Sequence, residues 1–175
     1  FLEEVFGLTT DRAGLMMTSI PLTILIVAPL SGRLSDRIGT HGLSALGASI
    51  GAAALFWMAG ITGAGLLPEA SRVSVVIAFC AIGLSTGLFH SPNNSAIMND
   101  VPHNKLGIAS AILATIRNLG LITGTSLAAA IFSWRLAQSS EYVPSLHLAL
   151  YVAGVLSIGA AVASIFRGGL ERRRS

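Results

Sequence analysis

Arg117 stands inside an otherwise uncharged run from Leu106 to Trp134, ten positions past Gly107. On a helix rising about 1.5 Å per residue, that is about 15 Å into a hydrocarbon layer about 30 Å thick. A lipid-facing guanidinium at that depth costs from roughly 2.5 to above 10 kcal/mol, so it must face protein or water. Two roles meet that condition. Arg117 either clamps backbone carbonyls or a neighbouring helix, or it lines a path for substrate or ions. Asn118 follows on the adjacent face, with Thr115, Thr123 and Thr125 nearby.

A second polar stretch, His90, Ser91, Pro92, Asn93, Asn94 and Ser95, interrupts another apolar run. Pro92 frees a backbone carbonyl one turn earlier, which the Asn and Ser side chains can satisfy, so repair of a kink is one reading. The other is functional. His90 and Asn94 share a helix face at i, i+4 spacing, and that face presents a titratable imidazole and an amide to a cavity, with Asn93 on its flank. Metal and catalytic chemistry find no support. Asp100 with His103, and Asp36 near His41, each lack a third ligand of the right type. No nucleophile elbow accompanies the serines, and Cys80 is the single cysteine, so no disulfide framework or cysteine cluster forms within the chain. No catalytic residue, metal or cofactor is expected.

The elements that position these residues follow from composition. Of 175 residues, 53% are hydrophobic and 11% charged, against about 25% charged in an ordinary soluble domain. Nineteen charged side chains cannot cover a soluble surface of this size, and lipid is the expected solvent. Charge-free runs at Ala13–Gly32, His41–Pro68, Val73–Asn99, Leu106–Trp134 (broken once, at Arg117) and Tyr142–Phe166 each reach the roughly 20 residues that a spanning helix needs. The spans are expected at about 13–34, 42–62, 73–98, 106–133 and 145–166, with a basic tail at 167–175. Barrel strands would alternate apolar and polar residues, which these runs do not. The expected fold class is therefore all-α, a polytopic membrane helix bundle of five transmembrane helices. The chain opens on Phe1 and FLEEVFGL reads like the end of a preceding segment, so it is taken as a fragment. Glu3 and Glu4 stand where a signal peptide carries basic residues.

Orientation comes from the connections. One set of segments holds seven basic and three acidic residues, the other three basic and five acidic, for net charges of +4 and −2. Cytoplasmic loops carry the basic excess, which puts residue 1 outside and the carboxyl terminus inside. The charge balance thus belongs to membrane topology, and nucleic acid is not an expected partner. Gly47 and Gly51, Gly83 and Gly87, and Gly120 and Gly124 form three small-xxx-small pairs, each a flat strip against which another helix can pack.

The segment SGRLSDRIGTHG carries Gly32, Leu34, Asp36, Arg37 and Gly39, and resembles the signature of the major facilitator superfamily, a tight cytoplasmic turn between two spans. Thr40 and His41 depart from it, where the family often has basic residues. GLFHSPNNSAIMNDVP and GIASAILATIRNLGLITGTSLAAAIF resemble the last spans of the fourteen-span multidrug drug:proton antiporter branch, with Arg117, Asn118, Leu119 and Gly120 matching its Arg-x-Leu-Gly element. FLEEVFGLTTDRAGL resembles the outer loop entering the second helix of that half.

The resemblance implies the last five helices of a carboxyl-terminal half, with the first helix of that half and the amino-terminal half lying elsewhere in the full protein. It also implies rocking of two bundles about a midplane site. The expected activity is secondary transport, proton-coupled efflux of lipophilic or cationic compounds, from a bacterial inner membrane. A facilitator for a sugar, organic acid or other metabolite is the nearest alternative, and a membrane enzyme or a non-transporting scaffold is more distant. On this reading Arg117, Asn118, His90, Asn93 and Asn94 line the substrate or ion path, Gly32, Asp36, Arg37 and Gly39 form a conformational switch, and the partners are lipid, the other half, small-molecule substrate and protons. The membrane carboxylates that bind the coupling proton in such antiporters usually lie in the other half, and no Asp or Glu falls inside the five runs here.

Overall fold

The computed structural model describes residues 2–63, 68–99 and 101–171, with side chains over the same ranges apart from 4–5, 36–38, 62–63, 68–71 and 167–171. Helix α1 (Leu2–Phe6) ends at Gly7, whose φ of +60° lets the Gly7 and Leu8 N–H groups donate back to the Glu3 and Leu2 carbonyls at 3.0 and 3.3 Å. That pairing closes the helix end in a conformation open to glycine. Helix α2 (Thr10–Met17) and α3 (Ser19–Ile38) meet at Thr18. Pro21 has no N–H for the Met17 carbonyl, and nearby hydroxyls bond the backbone at the break: Thr18 donates to Gly14 O at 2.9 Å and Ser19 to Met16 O at 2.7 Å. Then come α4 (Thr40–Gly63), α5 (Pro68–Asn99), one 3₁₀ turn (His103–Lys105), α6 (Leu106–Ser139) and α7 (Tyr142–Glu171).

Five segments are long and apolar enough to cross a membrane: Thr10–Ser35, Thr40–Ile61, Arg72–Asn99, His103–Ser139 and Tyr142–Phe166. Among the described residues there is no strand, so the fold is an all-α bundle. Large apolar side chains such as Leu25, Trp57, Ile77, Val155 and Phe166 lie exposed, which suits a surface whose solvent is lipid.

Small residues set the packing. Helix α4 lies between α5 and α7, and α5 between α3 and α4. Added Cβ atoms show why. At Gly47 one would come within 2.9 Å of Phe89 N, at Gly83 within 2.7 Å of Ile20 O, and at Gly87 within 2.8 Å of Val27 Cγ1. At Gly51 it would collide with Ser85 Oγ. Ala45, Ala48 and Ala52 are buried on α4. The seam between α4 and α7 carries Ser157 Oγ donating to Ala48 O at 2.8 Å and Ser164 Oγ donating to His41 O at 3.2 Å. Near the α1 end, Leu2, Leu8, Ala13, Met58, Ile61, Val75, Ala78 and Phe79 form the apolar cluster. Helix α6 differs. It packs along α7, barely meets α5, and has no buried residue.

Candidate functional site

Pro92 sits fully buried within α5, and its missing N–H leaves the Leu88 carbonyl without its helical donor. The polar residues around it can then remain in an apolar helix because the local backbone offers them bonds; Ser95 Oγ donates to Ser91 O at 3.2 Å. On the same stretch His90 is exposed, its ring in a T-shaped pair with Phe89 at a centroid distance of 5.7 Å, while Asn93 and Asn94 are half-buried.

Across from this stretch, Arg117 Nη2 on α6 donates to Asn94 Oδ1 at 3.2 Å. Among the described residues this is the one hydrogen bond of the Arg117 side chain. The two backbones are offset in depth: Asn94 lies five positions before the end of α5, about 8 Å, and Arg117 eleven positions after the start of α6, about 16 Å. The arginine side chain therefore runs toward the end where α5 and α6 join. Its Cα lies near mid-span while its charge lies shallower, which lowers the cost of holding it in the membrane.

The structure thus joins Asn94 to Arg117 and leaves His90 one turn away on the same α5 face. Asn118 lies exposed on α6 next to Arg117. The spacing of His90 and Asn94 on one face is legible in sequence; the bond between residues 23 apart across two helices is not, since nothing in either run specifies how α5 and α6 are set against each other.

The remaining expected site residues separate into groups. Gly32 is half-buried, with Ser91 Oγ 3.4 Å from an added Cβ. The backbone of Asp36 and Arg37 lies within the last turn of α3 rather than in a loop, and their side chains lie outside the described ones. No proline follows Pro29 before Gly39 and the helix carries through Gly32, so α3 continues past the membrane-length run and the connection to α4 shrinks to Gly39 alone, at φ +88° and ψ 153°. Its N–H donates to Ser35 O at 3.0 Å. Gly47, Gly51, Gly83 and Gly87 stand at helix contacts, whereas Gly120 and Gly124 have no atom within 4 Å of an added Cβ and are not brought against another described helix.

Two features were not anticipated from the sequence. Ser31 and Ser35, one turn apart on α3, are buried with hydroxyls that have no bonding partner among the described residues. A cavity of about 360 Å³ opens near α1, with Phe79, Met58 and Leu150 among its walls and Glu3 at its edge. Serines are common enough in apolar helices that the first gave no signal, and the second depends on how α1 folds back.

Five membrane-length helices around close-packed glycine seams, with one arginine bonded between two of them, define a polytopic membrane helix bundle. The chain belongs to the Major Facilitator Superfamily, whose profile matches residues 1–175. It is 35% identical over 153 residues to the riboflavin transporter RibZ of Clostridioides difficile (strain 630), covering 87% of this chain and 32% of that protein. It is 34% identical over 176 residues to the uncharacterized transporter YebQ of Escherichia coli (strain K12), covering 100% and 36%. Similarity at 27% extends over 133 residues to the multidrug export protein EmrB of Haemophilus influenzae, covering 76% and 25%. The chain spans about a third of the length of the first two relatives. No solved structure matches it.

Proposed function

We propose that these residues are five helices of a secondary transporter that moves a small organic molecule by alternating access, coupled to protons and directed outward across a bacterial inner membrane. The observation that carries this reading is the Arg117–Asn94 hydrogen bond. A charge held between two helices that otherwise barely touch belongs to a face that is wet or substrate-bearing, because lipid on that face would leave most of its donors unpaired. His90, Asn93, Asn94, Arg117 and Asn118 then line the path. Asp36 and Arg37, beside the one-residue joint at Gly39, act in switching between states. The multidrug export protein among the relatives supports drug efflux, and the riboflavin transporter supports the second reading, a metabolite carrier. Proton-binding carboxylates are assigned to parts of the transporter outside these five apolar runs, which hold none of the eight acids.

The test uses the full-length protein in proteoliposomes carrying a pH gradient, with fluorescein, rhodamine 123 and riboflavin as probes. At least one should move against its own gradient and stop when a protonophore collapses the pH difference. Flux of none of them, or flux indifferent to the gradient, would overturn the reading. Arg117→Leu should insert and fold like the parent yet lose at least tenfold in flux; transport at the parent rate would make Arg117 a clamp only. Orientation is checked separately in intact cells in a Cys80→Ala background. Glu141→Cys should react with an impermeant maleimide and Asn104→Cys should not, and the reverse pattern would invert the topology.

A further inference from the structure

We infer that the face shared by α5 and α6 receives the anionic end of a planar aromatic substrate, an aromatic carboxylate or enolate rather than a lipophilic cation. The inference rests on the transport reading above and names the substrate class for that same site.

Three observations carry it. The first is the donor count: a guanidinium has five N–H groups in a rigid fork, and Arg117 uses one of its two Nη groups on Asn94 Oδ1 while the residue as a whole is exposed. That bond fixes the orientation of the fork and leaves donors for a carboxylate, whose two oxygens match the fork's spacing. The second is the absence of a competitor. No Asp or Glu stands in any of the five apolar runs, so these five helices offer a cation no carboxylate within the runs and oppose it with a fixed positive charge. The third is shape. One turn before Asn94, His90 is an exposed residue whose ring forms a T-shaped pair with Phe89, and the guanidinium has a flat face of its own, so both elements bring planar groups to an aromatic ring. Asn118, exposed beside Arg117, adds an amide that can donate or accept at the rim. Each group suits a flat, electron-rich anion.

Fluorescein and rhodamine 123 share a xanthene skeleton and differ in the sign of their charge, so flux of each through the full-length transporter in proteoliposomes isolates the charge preference. Fluorescein should be carried in preference to rhodamine 123 by at least tenfold in flux at equal concentration. Arg117→Gln should raise the half-saturation for fluorescein at least tenfold, and Arg117→Lys should raise it by less, since charge survives while the fork is lost. His90→Ala, which leaves the arginine in place, should raise it a few fold. Fluorescence anisotropy of fluorescein on the purified parent and variants should weaken in the same order, a readout independent of turnover. Rhodamine 123 carried in preference to fluorescein would overturn the inference and leave the transport reading standing. Fluorescein flux whose half-saturation is unchanged in Arg117→Gln would overturn it too, by showing that the charge acts elsewhere, such as on an acid of the other half. Loss of both dyes alike in Arg117→Gln, with unchanged anisotropy, would do the same. Flux of riboflavin alone would replace the anion with a neutral ring system, and flux of no probe would remove the transport reading and the inference together.

Discussion

Helices α4 and α6 have similar small-residue spacing and opposite surroundings. In α4, Gly47 and Gly51 lie four apart, and an added methyl group at either would run into Phe89 N or Ser85 of α5. In α6, Gly120 and Gly124 lie four apart, and an added methyl group would meet nothing. Helix α4 is flanked by α5 and α7, whereas α6 leans on α7 and reaches α5 through an arginine side chain. The comparison separates two uses of one motif. Small residues are a condition for close packing, but whether the strip is used depends on which helix is set opposite, and that is a property of the whole bundle.

The largest expected effect tests that distinction directly. Gly83→Leu places a side chain where Ile20 O and Thr23 already stand, at 2.7 and 2.8 Å from the first added carbon. The α3–α5 contact must open, at a cost of about 3 kcal/mol or more. The same change at Gly120, in these 175 residues, should cost less than about 0.5 kcal/mol, and the better helix propensity of leucine can make it stabilising. Denaturant titration of the two variants in mixed micelles, followed by far-ultraviolet circular dichroism, measures the difference. Equal losses would mean that α6 packs as tightly as α5, contrary to the geometry described here.

The same contrast shows what was legible beforehand. Charge-free runs of membrane length reveal five helices because hydrocarbon admits few other backbone arrangements, and each run reports its own solubility without reference to its neighbours. Helix ends were less legible. Arg33, Asp36 and Arg37 read as a connection because they are charged, yet a helix can leave the hydrocarbon and continue, and here the backbone does so until Gly39. At the site, His90 and Asn94 could be put on one face from spacing alone, and Arg117 could be flagged from its depth. Their meeting could not be foreseen, because it depends on the relative placement of α5 and α6, which share few contacts and no strong sequence complementarity.

The smallest expected effect concerns what holds the α4–α7 seam. Ser157 Oγ donates to Ala48 O at 2.8 Å, a bond that at first sight should matter greatly in an apolar setting. Ala48 lies in the interior of α4, where its carbonyl also faces the N–H of Ala52, one turn on, in the regular helical pattern. Removing the hydroxyl therefore leaves no backbone group stranded, and the serine itself retains a local backbone acceptor on its own helix when it is not bonded across the seam. Interhelical bonds of this kind average about 0.6 kcal/mol. Ser157→Ala should accordingly cost about that much, well below Gly83→Leu, and it should leave the contact between α4 and α7 in place, because a methyl group fits where the hydroxyl did. A loss above about 2 kcal/mol in the same titration would reverse the assignment. It would mean that serine bonds hold the seam and that the close approach of small residues follows from them, so the difference between α4 and α6 would lie in their hydroxyl partners rather than in what stands opposite their glycines.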